Sequence, residues 1–394
     1  MYKYEYLPPY FLQNGVTMTT YTALWANRDW ESKITHPEPK YHEVIFTGGQ
    51  GMPIFGQVAI PPNAHSTIVG TYGITGELDQ QWFLRILGRK AYAQGYAVVL
   101  FDWRAHGKTA ELSPTLTSDG LYEGEDFVRI AETAAKMGCP PQFWFTGYSL
   151  GGQLALWGVK AAADLAAKDI DIAGGAVICP SLDSFRSLSY LVTHPFGKYI
   201  ESRIAKELKK LAWKIHAVYP ESINPEAIER ANSIWGFDEE LVIERLGFAT
   251  VADYYQASSG LELLPKLSKP TLILYAADDP LFDPAIIPDL ETAARNNPDI
   301  DLLLTRYGGH VGYVSSKKCQ NQYDDPDPWW AWNRVLQWIE IKRSQELVGA
   351  YCNTPLLNHE GAFAERLDSL RGDAGAIEIV HEGIRKKEEE GIIY

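Results

Sequence analysis

Phe143-Trp-Phe-Thr-Gly147-Tyr148-Ser149-Leu150-Gly151-Gly152 reads as a β-rich run that ends in Gly-x-Ser-x-Gly and passes at once into helix-forming sequence carried by Leu150, Leu154, Ala155 and Val159. The order is strand, sharp turn, helix. A serine at the apex of such a turn sits in strained backbone with its hydroxyl presented outward, and side chains at Gly147 or Gly151 would collide with neighbouring backbone. A serine hydroxyl is a poor nucleophile until a base takes its proton, so the stretch calls for a histidine, and an acid to orient it, further along the chain.

Among nine histidines, His310 has the most informative setting: it follows the strand-like Leu302-Leu-Leu-Thr-Arg-Tyr and two glycines, Gly308 and Gly309, which put the ring on a loop at a sheet edge. His106, in Arg104-Ala105-His106-Gly107, lies upstream of Ser149 and is expected to support a loop. The acid should follow a late strand, and Thr271-Leu-Ile-Leu-Tyr-Ala-Ala277-Asp278-Asp279-Pro280 offers two carboxylates there. Asp279, directly before the proline, is the expected partner of the histidine, with Asp278 solvating the loop or bonding local backbone donors. Asp283 before Pro284 reads as a helix cap. Acyl transfer also needs donors aimed at the developing oxyanion. The backbone N–H of Leu150 is one candidate, and the loop Thr71-Tyr72-Gly73-Ile74-Thr75-Gly76 supplies the second through the N–H of Ile74.

Outward from the serine, short β-rich runs at 43–47, 54–59, 66–71, 96–101, 142–147, 174–179, 271–276 and 301–305 alternate with amphipathic runs at 79–94, 124–137, 150–166, 285–295 and 328–345. That alternation predicts an α/β fold, a mostly parallel sheet flanked by helices. Residues 180–267 turn helical without strand signals, an insertion placed where a lid would sit. The expected organisation is an N-terminal segment over 1–40 packing on the core, a core over 41–179 and 268–345, the helical lid over 180–267, and a C-terminal extension of unknown role over 346–394. That extension ends in a charge run, Arg385-Lys-Lys-Glu-Glu-Glu390, expected on a solvated helix face. The apolar lid residues Phe185, Leu191, Trp213, Tyr254 and Tyr255 are candidates to line an acyl pocket.

The 394 residues carry 36 Lys+Arg against 50 Asp+Glu, a net charge of −14 that repels polyanions and argues against nucleic acid as a partner. Cys139, Cys179, Cys319 and Cys352 have neither disulfide-framework nor zinc spacing and are expected to be reduced and buried. No apolar run approaches the length of a membrane span, and a cytoplasmic location is expected. Gly49-Gln-Gly51-Met-Pro53-Ile54 lacks the third glycine of a dinucleotide fingerprint and Gly73-Ile-Thr-Gly76 lacks the P-loop lysine, so no cofactor is expected. Nor does any His/carboxylate spacing suggest a metal.

These residues resemble the α/β hydrolases, in the branch of YheT-like proteins and medium-chain fatty-acid ethyl ester synthase/esterases. The resemblance spreads over most of residues 7–340: Leu7-Pro8-Pro9-Tyr10, Asn14-Gly15 with Thr19, the Ser149 stretch, Phe237-Asp238-Glu239 with Gly247-Phe248, Asp253-Tyr254-Tyr255, Asp278-Asp279-Pro280 and Gly308-Gly309-His310-Val311-Gly312. It implies Ser149, Asp279 and His310 as nucleophile, acid and base, and a carboxylic ester or acyl substrate of short to medium chain length. The sequence departs from the branch at Tyr72-Gly73, where His-Gly is common, and at Ala105, where a glycine is common. Hydrolysis, acyl transfer to an alcohol, and a non-catalytic binding role on the same fold all stay open, as does the oligomeric state.

Overall fold

A computed structural model describes residues 4–165 and 169–353, with side chains as far as residue 345. The described chain divides into two units, one as far as Val335 and one from Leu336 on. The first is built on one eight-stranded sheet: β1 (His42–Thr47), β2 (Pro53–Ala59), β3 (Ser66–Thr71), β4 (Tyr96–Phe101), β5 (Gln142–Tyr148), β6 (Asp171–Ile178), β7 (Thr271–Ala276) and β8 (Ile300–Thr305). Its spatial order is β1-β2-β4-β3-β5-β6-β7-β8. β2 runs antiparallel to β1 and β4, and every other pairing is parallel.

The strand sequences explain their places. Apolar residues run almost without interruption through β4 and β7, β3 is Ser-Thr-Ile-Val-Gly-Thr, and every residue of the three is buried, as strands covered on both faces by helices require. β1, at the antiparallel edge, is mostly exposed. Parallel register brings Thr71, Gly147, Ile178, Ala276 and Thr305 to one edge of the sheet. The loops that leave this edge carry every residue singled out above as a nucleophile, acid, base or oxyanion donor, at the place where open α/β sheets bind ligands.

The expected strands match within a residue or two except β6, which begins at Asp171 and not at residue 174. The Ala173-Gly-Gly175 run hid its start, and a register shift against β5 at Phe143/Trp144 passes over Ala173. The run at 79–94 divides into a 3-10 turn, Leu78–Gln80, and a helix, Trp82–Ala93. The last expected helix spans Trp330–Asn353 and so passes from the first unit into the second, where Arg343 pairs with Glu340. Asp283 caps as expected, its side chain accepting the Ala285 N–H at 2.9 Å. The charge run at 385–390 lies outside the described residues.

Between β6 and β7 the described chain is helical, with its longest helix at Pro195–Val218. Its helix starts are set by side chains that accept first-turn N–H groups: Asp183, His194, Asn224, Ser233, Thr250 and Ser259. The segment shares an apolar core with the loops after β4, in which Ile215, Ile228, Phe237 and Tyr254 meet Ala105 and Leu116. Among the described residues no helix is long and apolar enough to cross a membrane.

Candidate active site

β5 ends at Tyr148 and the helix Leu150–Leu165 begins one residue later, so Ser149 alone makes the turn, with φ 55°. Its N–H bonds the Ile178 carbonyl of β6 at 3.0 Å, and its own carbonyl accepts from Gly152 at 3.0 Å. The flanking glycines are required by contact. A Cβ at Gly147 would lie 2.3 Å from the Gly151 oxygen, and one at Gly151 would lie 2.2 Å from the Tyr72 oxygen.

Facing this hydroxyl, His310 Nε2 is 2.9 Å from Ser149 Oγ, and His310 Nδ1 is 2.9 Å from Asp279 Oδ2. A carboxylate only accepts, so Nδ1 carries the proton and Nε2 is left to accept from the serine. The Asp279 side chain is 2% exposed and that of His310 13%, and the second Asp279 oxygen accepts the Leu281 N–H at 2.9 Å. The Phe282 ring stands edge-on to the imidazole, 5.1 Å between centroids.

The neighbouring carboxylate has another task. Asp278 Oδ1 accepts the Gly309 N–H at 2.9 Å, so beyond the local backbone donor expected of it, it braces the loop that carries His310 across 31 residues of sequence. Burial pushes its carboxyl up to about 6. The helix Gly15–Tyr21 closes on the same loop: Thr19 Oγ1 accepts the His310 N–H at 2.8 Å and donates to the Gly15 carbonyl at 2.7 Å.

Above the serine, the loop after β3 comes so close that a Cβ at Gly73 would lie 2.8 Å from Ser149 Cβ. Ile74, Leu150 and Ser149 line one cavity, whose apolar walls include Leu188, Leu191, Phe237 and Phe282. Of the expected lid residues only Leu191 and Tyr255 reach it. Phe185 is 46% exposed, Tyr254 is buried outside the lining, and Trp213 packs on the core of the helical segment. Helical apolar spacing marks a buried face without saying whether that face meets core or cavity. Asp119 and Asp238 also stand in the cavity wall: Asp238 appeared only inside an element of resemblance, and no motif announced Asp119.

Compared with known proteins, residues 76–318 match the model of the alpha/beta hydrolase family. The chain is 53% identical over 350 residues to a Synechocystis protein named putative esterase slr0264, covering 86% of this chain and 95% of that one. The chain belongs to the α/β hydrolase family. Within the family it falls in the YheT-like branch: it is 31% identical over 196 residues to the putative esterase YheT of Escherichia coli, covering 49% of this chain and 53% of that one. It is also 27% identical over 334 residues to a mouse protein named phospholipase ABHD3, covering 77% of this chain and 76% of that one.

In this α/β hydrolase Cys139, Cys179 and Cys319 are free and buried, and burial pushes the Cys179 thiol far up, away from reactivity. The Cys352 side chain lies outside the described side chains. The supports of His310, namely Thr19 and Asp278, were not readable as such from sequence. Thr19 appeared only inside an element of resemblance, and its partner lies 291 residues away.

Proposed function

We propose that this α/β hydrolase is a serine hydrolase that cleaves carboxylic esters of short to medium acyl chain through an acyl-enzyme on Ser149. One observation carries the reading: the chain of two 2.9 Å hydrogen bonds that runs from Asp279 through His310 to Ser149 Oγ at the mouth of an apolar cavity. Its relatives' names, two of them putative esterases, point the same way.

Ser149 Oγ attacks the ester carbonyl carbon while its proton passes to His310 Nε2. Asp279 holds the Nδ1–H and stabilises the imidazolium that forms. The carbonyl oxygen becomes an oxyanion held by the backbone N–H groups of Leu150 and Ile74. Collapse expels the alkoxide, which takes the Nε2 proton and leaves as the alcohol. Water then gives a proton to Nε2, attacks the acyl carbon and releases the acid, and the proton returns to Ser149. The apolar walls accept the acyl chain and keep bulk water from the oxyanion.

A fluorophosphonate probe and p-nitrophenyl esters of graded chain length test the reading. The wild-type chain is expected to take the label at Ser149 and to favour short and medium acyl groups. Ser149→Ala is expected to lose both labelling and at least about a thousandfold in kcat while staying folded. A folded wild-type chain that neither labels nor hydrolyses any ester overturns the proposal.

A further inference from the structure

Thr75, next to the expected oxyanion donor Ile74, has φ 66°. For a β-branched residue this left-handed conformation is an outlier that persists only where its surroundings impose it. The imposing group is His106. Its Nε2 lies 3.1 Å from the Thr75 N–H and its Nδ1 lies 3.0 Å from the Arg104 carbonyl. The carbonyl can only accept, so Nδ1 carries the proton, and Nε2 is thereby the acceptor that the Thr75 N–H needs. The ring is buried and stacked on Trp103 with centroids 3.5 Å apart, and burial holds the imidazole down to about 3, so it stays neutral. Arg104 is anchored in turn, its guanidinium gripping the Asp126 carboxylate at 2.7 and 2.9 Å. The same post-β4 loop fixes the flanks of the oxyanion loop through Asp102 Oδ1, which accepts from Tyr72 Oη at 2.5 Å and from the Leu78 N–H at 2.8 Å.

We propose that His106 is a positioning residue: by accepting the Thr75 N–H it locks the left-handed turn that presents the Ile74 N–H to the oxyanion. The inference rests on the ester-hydrolase reading above. His106 lines the same cavity as Ile74 and Ser149, and its effect belongs to the transition state because the bond it makes fixes the loop where charge develops.

The test compares wild type, His106→Phe and His106→Gln on p-nitrophenyl butyrate, together with affinity for an alkyl boronic acid that mimics the tetrahedral intermediate. Phe keeps ring volume and stacking but has no acceptor, whereas the Gln amide oxygen can take the Thr75 N–H. For His106→Phe, kcat is expected to fall about 10- to 100-fold with KM within about twofold, and boronate affinity to fall by the same factor as kcat. His106→Gln should recover most of that loss. If His106→Phe does not fold, His106→Asn, whose amide stops short of Thr75, takes its place against His106→Gln. A folded acceptor-free variant with wild-type kcat, or one that His106→Gln does not improve upon, overturns the inference alone. A wild type inactive on every ester rejects both this inference and the reading beneath it.

Discussion

At the residue scale the site turns on which of two adjacent carboxylates faces the histidine. Asp279 and Asp278 follow the same strand, yet β7 ends so that one points at His310 Nδ1 and the other at the Gly309 N–H. The difference predicts separable effects. Asp279→Asn keeps the shape but offers its amide where the imidazole N–H must donate, and kcat is expected to fall about 10⁴-fold. Asp278→Asn retains an oxygen for the Gly309 N–H, so kcat should stay within about tenfold. Comparable losses in both variants, measured on one ester under saturating conditions, would show the assignment to be wrong. The serine, the histidine and this acid were legible because each sits in a short motif whose turn chemistry is local. The role of Asp278 was not, since its acceptor geometry depends on a loop from the next strand.

At the scale of elements, the sheet was legible because buried parallel strands write themselves as apolar runs between turn residues. Only β6, with two glycines inside it, blurred. The N-terminal helix Gly15–Tyr21 illustrates what periodicity cannot convey. Its sequence, rich in Thr and small residues, signals no strong helix, and its function is a contact with a loop nearly the whole chain away. Gly15 is required there, since a Cβ on it would overlap the Asp278 carbonyl oxygen at 1.6 Å. Thr19→Val preserves shape and removes the only oxygen that the side chain offers to the His310 N–H. An unpaired donor of this kind costs about 1–3 kcal/mol. The variant should therefore show a lowered melting temperature by calorimetry and a lower kcat on esters, with KM little changed. Wild-type values for both would mean that the helix is a bystander of the histidine loop.

At the scale of the whole molecule, the helical segment between β6 and β7 meets the rest of the first unit across a wall that contains two carboxyls. Asp119, at φ 51° in the loop before the helix Glu123–Lys136, and Asp238, in the inserted segment, both line the cavity. Around them stand Glu123, bonded to the N–H groups of Ser118 and Gly120 at 3.0 Å, and the rings of Tyr254 and Tyr255, the latter donating to Asp238. Burial, and then the neighbouring negative charge, hold both carboxyls up, Asp119 to about 7. The sign follows directly. An unfolded aspartate loses its proton near 4, whereas these keep theirs longer in the folded chain, so between about pH 4 and 7 the folded state binds more protons than the unfolded. Stability contributed at low pH is therefore lost as pH rises through this window. Asp119→Asn fits the test because asparagine accepts left-handed backbone and carries no charge. Thermal unfolding between pH 5 and pH 8 should show the wild-type melting temperature dropping by several degrees more than that of the variant. Parallel curves for the two proteins would mean that Asp119 ionises without cost, and that the contact between the inserted helices and the sheet loops does not depend on its proton.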